Sequence, residues 1–502
     1  MNKITMTSIL LLGAAGITLA GINWHNGLAA WIGPTLLLYY TRNTQWINFI
    51  VFFPVVAVSG IISQTGNNLF NIFSINLING ILFAVLTCIS YFSDKLLYKR
   101  DRGFIFTLIF PATVVIVEYF VSLKIGTWGV VAHTQYAFKP LTQLSALTGL
   151  YGISFMVTWF ASVVNWIWER KDDTASVRLG AIIYSIVFVS ILCFGLVTRN
   201  FASNNNNSVK VSCIISETDV HKLAFDNKES FQIISQNGLG EVPANIFSTN
   251  SIIDSLIFRT RKASSSGAKI IVWNELALIL TQAQKEDLIL RLAEICDRSD
   301  IYLLFTYLEY KPSENLKPFY NSCCFLDTEG KIAWEYHKSF LHPYAEVPII
   351  NEGGYIIPFI DTEYGRIGSA ICADLDMPKL ISQAGKESIN LMLVPAYDWK
   401  GINPLHSQMA CISGMQYGFA VIRPNGKGLS AIYDNNGKEI SRSDTFKSND
   451  KIIVAELPLD PKATLYSASG DILVYVCMSF LMITAVLRIL NLLVARAKMK
   501  KS

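Results

Sequence analysis

The feature that most constrains this chain is a series of long, uncharged apolar segments in its first 200 residues, with one more near the C-terminus. Each approaches the roughly 20 residues that a helix needs to cross the hydrocarbon core of a bilayer. These segments explain why only 16% of the residues are charged, against about 25% in an average soluble domain. We predict eight membrane-spanning helices, at residues 4–22, 28–41, 46–63, 73–93, 104–122, 151–168, 179–198 and 471–494.

The first two of these segments are the least regular. The first follows the basic residue Lys3, as the apolar part of a cleaved signal peptide would. It does not lead through a small-residue cleavage site into soluble sequence, however, and another apolar segment follows, so we favour a permanent anchor. The second segment is short and contains Pro34.

Basic residues are concentrated in alternate connections between the predicted spans, which orients the chain by the positive-inside rule. The basic connections and tail contain Arg42, Lys95, Lys99, Arg100, Arg102, Arg170, Lys171, Arg178, Arg496, Lys498, Lys500 and Lys501. The connections 23–27 and 64–72 on the other side contain none, and 123–150 contains only Lys124 and Lys139. We therefore predict cytoplasmic termini and an exported segment between spans seven and eight. The net charge of +4 comes from these flanks and gives no indication of nucleic-acid binding.

Residues 201–469 form a predicted extracytoplasmic domain between the membrane regions 1–200 and 470–502. After the polar stretch SNNNNS, short β-rich runs alternate with helical patterns, and about 260 residues suffice for one α/β domain. The nine cysteines show no CxxC spacing and the six histidines no HExxH motif, so we expect neither a metal site nor a cofactor. Whether a disulfide forms in this domain is left open.

Three reactive side chains each follow a predicted strand of this domain. Glu275 comes just after the run IIVW, Lys338 follows a hairpin that turns at DTEG, and Cys372 ends the run GRIGSAIC. Open α/β sheets place their reactive groups at such strand ends. Each residue alone has an ordinary interpretation, as a solvated glutamate, a surface lysine or a buried cysteine. The ordered set predicts a catalytic carboxylate, ammonium and thiol.

The segment after Cys372 predicts a helix, with Pro378 near its start. We therefore expect the field of the helix N-terminus to lower the pKa of the thiol below its free value of about 8.5. Asp374 and Asp376 are expected only to complement that terminus. Structural roles are expected for four histidines, His133, His337, His342 and His406.

The ordered trio resembles the Glu-Lys-Cys triad of the nitrilase (carbon–nitrogen hydrolase) superfamily, and the chain is most similar to its membrane-embedded apolipoprotein N-acyltransferases. VWNELAL, YHKSFLHPYAEVP and ICADLDMP resemble the segments around that family's catalytic Glu, Lys and Cys, and residues 127–155 resemble the loop before its sixth span. The resemblance extends over nearly the whole chain. It implies an αββα sandwich, with Glu275 as base, Lys338 as oxyanion stabiliser, Cys372 as nucleophile and Glu346 as an accessory glutamate.

The resemblance also implies an activity. A fatty acyl chain would pass from a phospholipid such as phosphatidylethanolamine, through a cysteine thioester, to the α-amino group of a diacylglyceryl-cysteine lipoprotein. The enzyme would lie in the bacterial cytoplasmic membrane with its catalytic domain outside, and we expect a monomer. Two alternatives are a membrane-tethered amidase or nitrilase-type hydrolase that uses the same triad, and a non-catalytic scaffold.

Three segments depart from the family's pattern around the pocket. Ala373 and Asp374 stand where the family usually has Tyr-Glu, and SCIISETDVHKLAFD replaces a glutamine-asparagine segment and lacks its tryptophan. AYDWKG stands in place of an Asn-Asp-x-Trp-Phe-Gly loop. Within it, Tyr397 and Trp399 are candidate substrate-binding residues, with core packing as the alternative. These departures leave the triad intact, so they bear on the acyl donor and acceptor more than on acyl transfer itself.

Overall fold

The computed structural model describes residues 3–67, 73–99, 103–200, 208–218, 246–311, 317–343, 345–460 and 462–499. The chain divides into two compact units. The first comprises Met1–Phe201 with Ser469–Ser502, and the second comprises Ala202–Ala468.

The elements are numbered here in chain order. The helices are α1 (Lys3–Ala20), α2 (Ala29–Asn43), α3 (Phe49–Gln64), α4 (Phe73–Leu97), α5 (Ile109–Ile125), α6 (Lys139–Thr142), α7 (Ser145–Thr148), α8 (Leu150–Glu169), α9 (Thr174–Asn200), α10 (Asn250–Ser265), α11 (Gln282–Ser299), α12 (Pro378–Lys386), α13 (Leu405–Tyr417), α14 (Leu465–Ser469) and α15 (Ile472–Met499). The strands are β1 (Ser208–Ile214), β2 (Ile270–Trp273), β3 (Ile279–Thr281), β4 (Tyr302–Tyr310), β5 (Phe319–Leu326), β6 (Ile332–His337), β7 (Phe359–Thr362), β8 (Gly365–Ser369), β9 (Leu391–Leu393), β10 (Ala420–Arg423), β11 (Leu429–Tyr433), β12 (Glu439–Asp444) and β13 (Ile452–Pro458).

Seven helical segments of the described chain are long and apolar enough to cross a membrane, judged by length and composition. They are Lys3–Ala20, Trp46–Gln64, Phe73–Leu97, Phe104–Ile125, Leu150–Glu169, Thr174–Arg199 and Ile472–Arg496, and they correspond to seven of the eight predicted spans. The remaining predicted span is α2, which has 15 residues and contains Pro34. At 1.5 Å per residue it is about 22 Å long, shorter than the hydrocarbon core of about 30 Å.

Close backbone contacts and a buried ion pair hold the first unit together. A Cβ atom added to Gly16 of α1 would come within 2.6 Å of the Cα of Gly33 in α2, so this contact depends on small residues. Arg42 of α2 binds both carboxylate oxygens of Asp94 in α4, at 2.8 Å each, and its Nη2 donates to Ser162 of α8 at 3.0 Å. The pair therefore joins three helices in the interior of the unit.

The second unit contains two sheets. The first sheet has the strand order β13-β1-β2-β4-β5-β6, with β3 beside β4, and the second has the order β12-β11-β10-β9-β8-β7. The central strands are parallel in both: β1, β2 and β4 in the first sheet, and β8, β9 and β10 in the second. Antiparallel strands flank them on either side.

The alternation of side chains along the strands creates two layers of core. Ile270 and Val272 of β2 pack against residues of the second sheet such as Leu391, whereas Ile271 and Trp273 pack against the helices α10 and α11. On the other side, the buried helix α13 packs against β10 and β11. The fold is therefore helix, sheet, sheet, helix, which confirms the αββα sandwich expected from the resemblance.

Candidate active site

The three residues of the predicted triad all lie at strand ends in the second unit. Glu275 follows β2 by two residues, and Lys338 comes directly after β6 of the same sheet. Cys372 follows β8 of the other sheet and begins a 3-10 turn (Cys372–Asp376). All three side chains are buried, with 2% of Glu275, 4% of Lys338 and 7% of Cys372 exposed.

The ammonium group of Lys338 lies between two carboxylates. Its Nζ donates to Glu275 Oε1 at 2.8 Å and to the two oxygens of Glu346 at 2.9 and 2.8 Å. Asn321 Nδ2 donates to Oε1 of both glutamates, at 2.8 and 2.9 Å. Burial by itself would lower the pKa of Lys338, but the two carboxylates outweigh it and hold this pKa well above 10.5. The lysine is therefore charged, and by formal charges the group of one lysine and two glutamates carries −1.

Cys372 sits on a strained piece of backbone. Its φ is 52°, in the left-handed region that L-residues other than glycine adopt at a cost. Its own N–H donates to the carbonyl oxygen of Pro395 at 2.9 Å, which fixes the turn. Leu276, immediately after Glu275, is also left-handed, with a φ of 54°. Strained residues of this kind often cluster at functional sites, where the surrounding fold holds them in place.

The expected lowering of the thiol pKa is wrong. Burial, followed by the nearby carboxylate of Glu275, raises the pKa of Cys372, and the opposing effects of Lys338 and His406 do not cancel that rise. The expectation relied on the helix N-terminus, but α12 begins only at Pro378, after the 3-10 turn, and the thiol is buried. The resting side chain is therefore a protonated thiol, so the site needs a base to activate it.

Asp374 connects the Cys372 turn with the segment that carries Lys338. Its carboxyl group accepts hydrogen bonds from four donors: the backbone N–H of Ser339 (3.1 and 3.3 Å to the two oxygens), Phe340 (2.6 Å) and Ile371 (3.3 Å), and the hydroxyl of Tyr336 (2.8 Å). The expectation that Asp374 only complements a helix terminus is thus wrong, because its partners lie across the two sheets. This carboxylate fixes the ammonium-bearing segment relative to the thiol-bearing turn.

His406 belongs to a second buried charged group, which reaches Cys372. Its Nε2 lies 2.9 Å from Asp376 Oδ2 and its Nδ1 lies 2.7 Å from Asp398 Oδ1. Arg423 binds the same Asp398 through two contacts of 3.1 Å. The Sγ of Cys372, a ring nitrogen of His406 and a carboxylate oxygen of Asp398 all lie within 4.8 Å of one another. Asp376 therefore pairs with a histidine and does not merely complement the following helix.

The two candidate substrate-binding residues have different surroundings. Tyr397 is buried, and its ring lies so close to Gly426 that a Cβ atom there would come within 2.5 Å of it. Trp399 is half-buried and contacts the ring of His342 edge to face, with 5.6 Å between the ring centres. The backbone N–H of His342 in turn donates to Glu346 at 2.8 Å. Trp399 therefore lies next to the segment that carries Glu346, whereas Tyr397 is buried against Gly426.

Two groups of side chains in the described part of the chain have the composition of a metal site. One consists of Cys372, Asp398 and His406, and the other of Glu309, Glu335 and His337. In the first, Arg423 already binds Asp398. In the second, the Nζ of Lys285 lies 3.1 Å from Glu309 and 2.6 Å from Glu335. A cation of the protein therefore already contacts a carboxylate of each group.

Asn321 is a site residue that the sequence reasoning missed. It lies on β5, where Ser322 pairs with His337, and the backbone N–H of Lys338 donates to its carbonyl oxygen at 2.8 Å. Counting outward from the DTEG turn would place Asn321 opposite Tyr336. The register shift at Phe325 and Leu326 brings it next to Lys338 instead, so the hairpin sequence alone gives no signal for this residue.

Comparison with known proteins identifies the relatives of both units. A family model described as the apolipoprotein N-acyltransferase N-terminal domain matches residues 13–163, and one described as carbon-nitrogen hydrolase matches residues 227–463. Together these matches cover more than half of the chain. The chain belongs to the apolipoprotein N-acyltransferase family. It is thus an acyltransferase-type enzyme of the nitrilase superfamily and a multi-pass bacterial membrane protein.

Relatives in this family are distant but extensive. The apolipoprotein N-acyltransferase of Geobacter metallireducens is 22% identical over 417 residues, covering 77% of this chain and 75% of the relative. The apolipoprotein N-acyltransferase of Bradyrhizobium diazoefficiens is 19% identical over 438 residues, covering 81% of this chain and 77% of the relative. Among solved structures, an amidase from Nesterenkonia sp. is similar with 14% identity and a TM-score of 0.41, covering 51% of this chain and 91% of the amidase.

Proposed function

We propose that this protein transfers a fatty acyl chain from a phospholipid to the α-amino group of a diacylglyceryl-cysteine lipoprotein, through a thioester on Cys372. The observation that carries the proposal is the buried Glu275–Lys338–Glu346 group beside Cys372. Membership of the acyltransferase family supports the reaction type. Splitting a difficult acyl transfer into two steps through a covalent intermediate is the general advantage of such a nucleophile.

In the first half-reaction, Glu275 takes the proton from the Cys372 thiol, and the thiolate attacks the ester carbonyl carbon of the phospholipid. A C–S bond forms and the carbonyl oxygen becomes an oxyanion. The tetrahedral intermediate then breaks its C–O bond. The leaving lysophospholipid oxygen receives the proton that Glu275 had taken, so the glutamate is ready for the second step.

The contacts of Lys338 link proton transfer to oxyanion stabilisation. At rest, this ammonium group, with three N–H donors, contacts three carboxylate oxygens of Glu275 and Glu346. When Glu275 accepts the thiol proton it loses its charge, and its attraction for Lys338 weakens. A donor of Lys338 then becomes available as the oxyanion forms. Losing a donor of this kind typically lowers the rate by about 10²–10³-fold.

In the second half-reaction, the amine of the acceptor attacks the thioester carbonyl. Glu275 takes the excess proton of the amine, the C–N bond forms, and the C–S bond breaks. The departing Cys372 thiolate recovers the proton from Glu275. The products are the acylated amide and the resting thiol.

We propose the orientation with both termini cytoplasmic and the second unit outside, at the bacterial cytoplasmic membrane. The distribution of basic residues supports it. Reporter fusions after residues 100 and 174 should read as cytoplasmic, and fusions within 210–460 as exported. A cytoplasmic reading for the latter fusions would contradict the proposal, since a translocated lipoprotein presents its amino group outside.

The proposal is tested with the full-length protein in detergent and phosphatidylethanolamine alone. We expect an acyl-enzyme on Cys372, detected by intact-protein and peptide mass spectrometry, together with one equivalent of lysophospholipid. Adding a diacylated lipopeptide should discharge the thioester and give the N-acylated peptide. Cys372→Ala should form no acyl-enzyme, whereas the matched control Cys323→Ala, at another buried cysteine of the same unit, should form it. A thioester that discharges equally fast with and without lipopeptide would favour the amidase-type hydrolase.

A further inference from the structure

The triad alone leaves the reactive sulfur in an unfavourable electrostatic setting. Lys338 is shared between Glu275 and Glu346, so the three together carry a net charge of −1. A nearby negative charge disfavours the thiolate, and low local polarity strengthens the effect. The ammonium group of Lys338 is therefore already paired with two carboxylates at rest. A second cation near the sulfur would offset this deficit.

His406 meets that requirement by its hydrogen-bond geometry. Its two ring nitrogens face two different carboxylates, Asp376 and Asp398, at 2.9 and 2.7 Å. An ionised carboxylate can only accept hydrogen bonds, so both nitrogens must carry protons and the ring is an imidazolium. Burial lowers the pKa of His406, but Asp398 and Asp376 outweigh it and hold this pKa well above 6.5. The ring consequently stays charged across the neutral range.

The charges around His406 balance, which explains how the fold tolerates them. Asp376 and Asp398 contribute two negative charges, and His406 and Arg423 contribute two positive ones. Asn425 Nδ2 also donates to Asp398 Oδ2, at 2.6 Å. Asp398 divides its two oxygens among His406, Arg423 and Asn425, so it does not belong to the histidine alone. The group is neutral overall, and both a ring nitrogen of His406 and a carboxylate oxygen of Asp398 lie within 4.8 Å of Cys372 Sγ. His406 acts on the sulfur through its charge and a side-chain hydrogen bond, both of which lower the pKa of the thiol.

We propose that His406 is a positioning residue for acyl transfer, a permanent imidazolium held by Asp376 and Asp398 that stabilises the Cys372 thiolate. This role of His406 rests on the proposed function in one respect, that the thiolate of Cys372 is the reacting species. His406 is already protonated and cannot act as the base, so Glu275 keeps that role. The charged groups that act on Cys372 and His406 are Glu275, Lys338, Asp376, Asp398 and Arg423, with Glu346 bound to Lys338.

The test measures the thiolate directly and needs no lipid. The full-length protein in detergent is treated with iodoacetamide between pH 5 and 10, and modification at Cys372 is quantified by peptide mass spectrometry, which separates it from the exposed Cys193. For His406→Gln we expect the rate at pH 7 to fall about tenfold or more, because a tenfold loss of thiolate corresponds to one unit of pKa. The midpoint of the profile should move to higher pH by the same amount.

Two further variants separate this role from a structural one. The double variant Asp376→Asn/His406→Gln removes one charge of each sign and keeps the group neutral. It should therefore fold even if His406→Gln, which leaves a carboxylate unpaired, does not. Its alkylation profile should be displaced to higher pH in the same way as that of His406→Gln. His337→Gln is the matched control, because this half-buried histidine of the same unit bonds to Ser322 and lies in a separate group with Glu309 and Glu335. Its profile should overlay that of the wild type.

Profiles of the folded His406 variants that overlay the wild type would overturn the proposal. A second inflection near pH 6.5 in the wild-type profile would also overturn the proposal, because it would show that His406 titrates and is no permanent cation. This measurement requires no variant. The acylation assay is read separately. A displaced alkylation profile in a protein that fails to take acyl groups from phospholipid would refute the proposed substrate and leave the role of His406 standing.

Discussion

Replacing Lys338 by Met should remove the attraction between its ammonium group and two glutamates, and leave those glutamates to repel each other. The substitution keeps the length of the stem and removes the ammonium group that separates Glu275 from Glu346. Asn321 would still donate to one oxygen of each glutamate, so the two carboxylates would be held near each other. The variant therefore tests the charge balance of the site as well as its catalysis.

The magnitude follows from the distances. Two carboxylate oxygens bonded to one nitrogen at 2.8 and 2.9 Å are about 5 Å apart, which corresponds to a repulsion of about 3 kcal/mol at an effective dielectric constant of about 20. The variant should relieve this repulsion by binding a proton on the carboxyl pair, whose pKa would rise by about 2 units. Because the pKa of the folded state would then exceed that of the unfolded chain, the variant should lose stability as the pH rises from about 5 to about 8.

The assay compares the thermal midpoints of full-length Lys338→Met and wild-type protein in detergent at pH 5 and pH 8. We expect the variant to lose a further 6–12 °C or so relative to the wild type at the higher pH, at about 2–4 °C per kcal/mol. The control Lys338→Met/Glu346→Gln has no second carboxylate, so it should lose the part of this pH dependence that comes from repulsion and keep only the part due to burial of one unpaired carboxyl group. Acyl-enzyme formation should fall about 10²–10³-fold and should not recover at raised pH. A pH-independent difference in midpoint between Lys338→Met and the wild type would refute the reasoning.

Three other variants test separate parts of the structure. Glu275→Gln should form acyl-enzyme very slowly at pH 7 and recover partly as the pH approaches the thiol pKa, since thiolate then forms without a base; formation at the wild-type rate at pH 7 would exclude Glu275 as the base. Asp374→Asn should lower the acylation rate by about 10–100-fold through loss of alignment between the Lys and Cys segments, whereas the exposed control Asp361→Asn should not, both measured as acyl-enzyme formed per second. Arg42→Met should destabilise the first unit by about 3–5 kcal/mol because it leaves Asp94 buried and unpaired, and Arg42→Met/Asp94→Leu should recover most of that loss in a thermal melt.

Features that depend on neighbouring residues could be predicted from the sequence. Apolar runs define seven helices that are long enough to cross a membrane, and runs such as IIVW and GRIGSAIC define the strands from which Glu275 and Cys372 follow. The span at 28–41 stays a prediction, because the helix α2 has only 15 residues and contains Pro34.

Features that depend on contacts between distant parts of the chain could not be predicted from the sequence. Asp376 and His406 are 30 residues apart and meet only because the Cys372 turn and α13 lie on the same side of the second sheet. The direction of the Cys372 pKa shift failed for the same reason, since it depends on burial and on Glu275, almost a hundred residues earlier, and not on the helix that follows. The position of Asn321 beside Lys338 depends on the register shift in its hairpin, and its two glutamate partners lie on other segments, so neither could be read from the sequence.

The Arg42–Asp94 pair has a consequence for the order in which the membrane unit is assembled during synthesis. Arg42 emerges from the ribosome 52 residues before Asp94, and α2 is too short to cross the bilayer unaided. In the proposed orientation Arg42 and Asp94 lie near the cytoplasmic ends of α2 and α4, where the arginine remains hydrated until its partner has been synthesised. We therefore expect α2 to take its final place no earlier than α4, although it is translated two helices before it.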